Sequence, residues 1–520
     1  MYYRPTTLTV GAEEVWSMPG GVRKWAGLAL LALPTVLLGL DVTVLYLVAP
    51  SVAADLSPSG TQLLWIMDAY GFFIAGFLIT MGTLGDRIGR RRLLMIGMVA
   101  FAAASVCAAF APTAGLLILA RALLGIAGAT LMPSTLSLVS NMFPEARERA
   151  VAIGVWATMF ALGMAAGPIV GGVLVDALWW GAPFLLAVPV AIVVLIGARA
   201  LLPEYADPGA GQLDLVSVAL SLGSILPAIY AVKHLAASEA DGQSLAFAAM
   251  SLVAGLLFIR RQRRLAHPLL DLALFTNRAF SAALVVLLIG LVGVGGSMYL
   301  VTQYLQLVEG LSPFAAGLWM GPPALAMFAV AIGAPVIARR IRPGVVMGVT
   351  LGISLIGYGM LASAGLDDEL HVAVGFAFVY LGLGAIAALG TDIVIGAVPA
   401  SKSGSAAALS ETVQELGIAV GVALLGSLTT GIYRRRIDDV PAGLDADAAD
   451  ALSDSLNATI SIADALPAQS VESARLAFTT GLNTAALVAG VAIALATVLC
   501  FRLLRHVPRL ELVREGDTGR

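Results

Sequence analysis

The sequence predicts an all-α integral membrane protein of fourteen transmembrane spans, and three observations carry that expectation. Hydrophobic residues make up 59% of the 520 and charged residues 12%, about half the charged share of an average soluble domain. Apolar stretches of about 20 residues, long enough to cross a bilayer as helix, occur fourteen times. Starting from a cytoplasmic N-terminus, 24 of the 30 Lys and Arg fall in connections on that side, five on the other, and Arg121 lies within a span. Short Arg-rich loops stay cytoplasmic, so both termini are expected inside.

Residues 1–24 contain Glu13, Glu14 and Pro19 and no apolar signal-peptide stretch, so the first span is expected to serve as its own insertion signal. The first six spans centre near Leu38, Phe72, Ala102, Gly128, Met164 and Ile192. Two more follow near Leu222 and Leu252, the former weakened by Asp214 and Pro227. The last six centre near Leu291, Ala326, Gly352, Gly382, Val420 and Val491. This divides the chain into a tail (1–24), a six-helix half (25–203), two additional spans (204–265), a second six-helix half (266–505) and a tail (506–520). The one long outer loop, about 434–473, opens with Arg434–Arg436, against the charge rule. Within it LDADAADALSDSLNATISIADAL and PAQSVESARLAF read as a helical hairpin on the outer face. A net charge of −3 argues against nucleic acid, which needs a basic patch. Cys107 and Cys500 both lie in apolar stretches and frame no disulfide or metal site.

The connection Gly82–Arg92, GTLGDRIGRRR, is the most informative. Gly82, Gly85 and Gly89 permit tight turning and close approach. Asp86 can pair with Arg87, Arg90 or a neighbouring arginine, or with a helix N-terminus. A purely topogenic loop would explain the arginines but not three glycines and an acid. A weaker copy, GAPVIARRIRPG at Gly333–Gly344, follows the tenth span without the aspartate. If spans 7 and 8 are an insertion, spans 1–6 and 9–14 correspond as parallel repeats.

A charge within a span costs about 2.5–3.5 kcal/mol on insertion scales, so each one is a functional candidate. Asp41 shares a helical stripe with Val44, Leu45 and Val48, with Thr43 and Tyr46 adding polarity. A carboxylate there can take a proton from one side and release it on the other. The alternative is a structural pair with Arg121, the one basic residue deep in a span. Asp68 has Trp65 at i−3 and Phe72 at i+4, an arrangement that suits an organic cation through charge and ring face. The alternative is an ordinary interfacial acid. Glu411 and Glu415 share one face at i,i+4 with Gln414 beside them. Like charges at that spacing repel, which suits a site that holds a proton until a cation arrives. For Glu411 an exposed helix end is the alternative. Asp392, near the end of span 12, can simply snorkel. Trp319 and Met320 fill span 10 and are cavity candidates, although such residues in a span usually pack.

Span 5 carries GMAAGPIVGG. Gly163, Gly167 and Gly171 recur every four residues, a smooth face for close helix contact, and Pro168 breaks a backbone hydrogen bond. Here several motifs meet in one resemblance. GTLGDRIGRR resembles the signature loop between spans 2 and 3 of the major facilitator superfamily. GMAAGPIVGG, including Gly172, resembles the span 5 motif of its exporters, and LILARALLGIAGA its span 4 motif with Arg121 as the basic residue. LDVTVLYLVAP resembles the span 1 motif of the fourteen-span drug:proton antiporters, which usually have Asn where this chain has Tyr46. The resemblance runs from about Trp25 to Leu504. It implies the major facilitator fold, two six-helix halves plus two extra central helices. It also implies that Asp41, Asp68, Glu411 and Glu415 serve proton coupling and cation recognition. Two departures subtract negative charge: Ser410 stands where some relatives have a second adjacent acid, and span 10 lacks an aspartate.

The expected function is a proton-coupled antiporter in a bacterial plasma membrane. It would export lipophilic, mainly cationic drugs and dyes, such as quaternary ammonium compounds, ethidium, acriflavine and fluoroquinolones, from the cytoplasm or inner leaflet. The halves would rock about the central cavity, with Asp86 and its arginines, in the loop of Gly82, Arg87, Gly89 and Arg90, latching the inner gate against the start of span 13. The expected partners are drugs, protons and membrane lipids, with no cofactor and no nucleic acid. No GxxxxGK[ST] surrounds any of the three lysines, so ATP is not expected to drive it. No nucleophile triad or metal pair suggests an enzyme. The alternative substrate is an endogenous metabolite or lipid; a sensor is the remote alternative.

Overall fold

A computed structural model of the chain describes residues 20–206, 214–237, 242–265, 268, 270, 272–398, 403–437 and 446–509. The fold is helical, because in a bilayer backbone groups must bond within their own segment. The first half comprises α1 (Gly20–Leu56), α2 (Gly60–Ile88), α3 (Arg90–Ala109), α4 (Ala114–Met142), α5 (Ala146–Ala177) and α6 (Ala182–Leu201). Two helices follow, α7 (Leu215–Ala237) and α8 (Gly242–Gln262). The second half begins with α9 (Arg278–Val308), α10 (Pro313–Ala338), α11 (Pro343–Leu361), α12 (Glu369–Gly396) and α13 (Ser403–Arg436). The short α14 (Ala446–Asp454) and α15 (Leu456–Ser461) precede α16 (Ala468–Leu504). Among the described residues 13 helices are long and apolar enough to span a membrane, and the 23-residue α7 completes fourteen.

Helix ends follow the local chemistry. Ser59 and Gln62 close α2 with a reciprocal capping box. Ser312 caps α10 ahead of Pro313, where a missing N–H costs nothing. Gly89, between α2 and α3, has φ +104°, a value that L side chains resist. The end of the bundle carrying Gly82–Arg92 is the basic end below; the end carrying α14 and α15 is the far end.

Packing repeats between the halves. In the first, α1 lies along α5, α2 along α4, and α3 against α4 and α6; in the second, α9 lies along α13, α10 along α12, and α11 against α12 and α16. Small residues make these approaches possible. A Cβ on Gly39 would collide with the Phe160 carbonyl, and one on Gly163 with that of Val36. Gly421 meets the Val292 carbonyl in the same way between α13 and α9. The halves meet through α2 with α13 and α5 with α10. Helix α7 rests on α13 and α2, whereas α8 packs on α7 and turns Leu252 and Leu256 outward.

The expected hairpin takes a different form. PAQSVESARLAF is not its second arm: Ala468 onward forms the opening turns of α16. Arg434–Arg436 form the last turn of α13, where Arg434 Nη2 binds Asp454 Oδ1 at 2.7 Å. What remains is a pair of short helices, with Tyr433 donating its hydroxyl to the Leu452 carbonyl at 2.9 Å. Residues 438–445 of that loop lie outside the described residues, as does most of the N-terminal tail.

Candidate functional site

Two buried, opposite charges are brought together by α1 and α4. Arg121 Nη1 lies 2.9 Å from Asp41 Oδ2, with side-chain exposures of 2% and 7%. The Arg121 guanidinium is also 4.7 Å from the centre of the Tyr70 ring and donates from Nε to the Ile66 carbonyl at 3.4 Å. A charge in so apolar a place needs this many partners, since removing one member strands the other. The structural pair and the functional candidate are therefore the same two residues.

Beside them, at the seam of the halves, is a small pocket lined by Val42, Tyr46 and Met164 on one side and Leu291, Val294, Met298, Tyr380 and Ile418 on the other. It encloses about 10 Å³, room for about one water. Tyr380 donates its hydroxyl to Met298 Sδ at 3.0 Å. Tyr46 lies in the electrostatic field of Asp68, Tyr380, Glu415 and Arg121. Glu415 in turn senses Glu411 and Asp41. Asp68 and Glu415 are buried, so two buried acids act on Tyr46 at the pocket wall, and Asp41 acts on Glu415.

Glu411 is half-buried on α13, whereas Asp392 is exposed. Between them Thr391 and Ser410 share a hydroxyl contact at 3.3 Å. Ser410, read from sequence as a lost acid, is part of this hydroxyl and amide patch, which Gln414 approaches at 3.5 Å.

Four cavity candidates sit elsewhere. Trp65 and Phe72 meet edge to face at 6.3 Å and pack with Ala419 and Ala423 of α13 and Ile225 and Leu226 of α7. They fill the seam that α7 covers, because the helix face carrying Trp65 and Phe72 turns toward α7 and α13. Trp319 lines a wholly apolar groove of about 190 Å³ between α10 and α12, and Met320 is buried in the core. Of the aromatic residues singled out in the sequence, Tyr46 alone lines the central pocket.

The basic-end loop is tied into its own half. Asp86 Oδ1 accepts from Arg90 Nε at 2.8 Å. Glu204, just beyond α6, accepts from the Arg91 amide at 3.0 Å and pairs with the Arg91 side chain at 3.5 Å. A Cβ on Gly89 would strike the Glu204 carboxylate, so glycine is required by both φ and proximity. Arg87 is exposed, and a Cβ on Gly82 would meet nothing within 4 Å. An expected latch against the start of span 13 falls partly on residues 399–402, outside the described residues.

The α5 motif has two working faces. Gly163, Gly167 and Gly171 press on Val36, Leu40, Thr43 and Val44 of α1. Gly172 instead abuts Pro313 and Phe314 of α10, and the Pro168 carbonyl abuts Gly317. Sequence periodicity exposes the first face only. It also leaves Glu204, Met298 and Tyr380 unmarked; for Glu204 the signal was a lone acid after span 6, for the others there was none.

The comparisons agree with this architecture. The family model described as Major Facilitator Superfamily matches residues 31–422. The chain is 42% identical to "Multidrug efflux pump LfrA" of Mycolicibacterium smegmatis over 92% of its length and 95% of that protein. It is 34% identical to "Methyl viologen resistance protein SmvA" of Salmonella typhimurium, covering 86% and 90%. In structure it resembles a bacterial homologue of the human lysosomal transporter Spinster in an inward-facing, unoccupied conformation, with TM-score 0.65 at 17% identity, covering 95% and 98%. On the family match, the relatives and the shared fold, the chain belongs to the major facilitator superfamily and is a multi-pass membrane transporter.

Proposed function

We propose that the protein is a proton-coupled antiporter that exports lipophilic, mainly cationic compounds from the cytoplasm or inner leaflet of a bacterial plasma membrane. The observation that carries this is a set of three buried carboxyls, Asp41, Asp68 and Glu415, with two of them, Asp68 and Glu415, acting on Tyr46 of the Tyr46–Met298–Tyr380 pocket at the seam of the halves. The names of the relatives, multidrug efflux and methyl viologen resistance, support a foreign-compound substrate. The basic end is cytoplasmic in this reading, from the distribution of Lys and Arg.

The chemistry is competition for charge. Protons arriving from outside neutralise the carboxylates, and a cation arriving from inside displaces them. Tyr46 and Tyr380 offer ring faces, worth about 0.5–2 kcal/mol to a cation, and Met298 offers a soft surface that adapts to varied shapes. Proton uptake by Asp41 releases Arg121 from its ion pair, leaving it on the Ile66 carbonyl and the Tyr70 ring. That exchange couples protonation to the relation of α1 and α4. The pocket is closed at its present size, so entry of a drug-sized molecule requires the halves to part. No cofactor is needed; the proton gradient drives the cycle.

Reconstituted protein carrying ethidium with and without a pH gradient tests this reading. Gradient-driven ethidium movement supports it, and movement indifferent to the gradient overturns it. If no movement occurs, the endogenous metabolite or lipid takes its place.

A further inference from the structure

We propose that Asp176, at the far end of α5, is a gating residue that holds the outer side of the transporter shut. This rests on the antiporter reading for what the gate serves, but not for the contact itself. Asp176 Oδ2 accepts from the Ser312 hydroxyl at 3.1 Å and from the Phe314 amide at 3.3 Å. Ser312 is the N-cap of α10 and accepts in turn from the Ala315 amide at 3.2 Å. A carboxylate of the first half therefore caps a helix of the second, where the helix dipole favours negative charge.

The contact stands at the end of a longer seam. Below it Gly172 lies on the backbone of Pro313 and Phe314, and Gly317 lies on the Pro168 carbonyl. These are backbone approaches with no side chain between them, so α5 and α10 fit closely from Pro168 to Asp176. Asp176 is the polar group on the rim of this close-fitting stretch. Opening to the outside must break both of its cross-half hydrogen bonds and exchange them for bonds to water. Because it is exposed, that exchange is readily reversible, as a gate requires.

The test uses the full-length protein in lipid nanodiscs with Cys107→Ser and Cys500→Ser. Spin labels at Leu116→Cys and Leu370→Cys report the separation of the far ends without substrate or gradient. One ordinary hydrogen bond is worth about a fivefold change in such an equilibrium. Asp176→Ala is expected to raise the population of the long separation by at least that factor. Asp176→Asn, which keeps an acceptor oxygen, is expected to fall between Ala and native. Ser312→Thr, which keeps the hydroxyl, is expected to match native. A native-like distribution for Asp176→Ala overturns the proposal, as does an equal shift in Asp176→Asn and Asp176→Ala. Ethidium transport is scored separately, so its absence counts against the antiporter reading alone.

Discussion

Asp41 of α1 and Arg121 of α4 form an ion pair of 2.9 Å, with both side chains out of water. Removing one charge leaves the other stranded, a cost of about 3–5 kcal/mol. Asp41→Asn and Arg121→Gln should therefore each lower thermal stability in detergent. The double variant should recover a good part of the loss, because nothing unpaired remains. Additive losses would show that the two residues act separately.

The central pocket separates true lining residues from aromatic packing. Tyr46→Ala or Tyr380→Ala should raise the KM for ethidium by about tenfold, the worth of one desolvated cation–π contact. Trp319→Ala, in the groove between α10 and α12, should leave KM unchanged. Initial rates in reconstituted vesicles decide between the two sites.

Glycines at crossing points carry packing that others do not. Gly163→Leu would drive a side chain into the Val36 carbonyl and should cost about 1–3 kcal/mol. Gly333→Ala meets open space and should be neutral. Thermal unfolding of the purified variants reads both.

Asp214, at the basic-end start of α7 and outside the spans, binds Arg261 of α8 through both oxygens, at 2.7 and 2.9 Å. The Arg261 guanidinium, aided by Ser217, holds its carboxyl well below the usual carboxylate range. A depressed carboxylate contributes stability that is present above the unfolded value, about 3.9, and is lost as pH falls through the depressed one. Asp214→Asn should therefore be less stable than native equally at pH 7 and pH 5. The gap should narrow only under more acidic conditions. A gap that closes between pH 7 and pH 5 would contradict the pairing.

What could be read from sequence follows from how strongly each residue was constrained. Arg121 needed a partner inside the bilayer, and Asp41 was the available acid on a neighbouring span; the structure pairs them. The placement of Trp65 and Phe72 depended on which helix filled the adjacent seam, and that helix is α7, distant in sequence. A four-residue glycine period announces one close face. The second face of α5, Gly172 and Pro168 on α10, has no period to reveal it. The polar run PAQSVESARLAF looked separate from the last span because its composition changes, yet the helix continues through it. Glu204 shows the limit most simply: 113 residues separate it from Arg91, and only the fold brings them together.

The most direct test of the account is ethidium-dependent proton movement in vesicles containing a pH-sensitive dye, comparing native protein with Asp41→Asn. Native protein should move protons opposite to ethidium. Asp41→Asn should still let ethidium run down its own gradient, with no accompanying protons. Proton movement of native size in Asp41→Asn would contradict the central claim, because the carboxylate paired with Arg121 would then have no part in coupling.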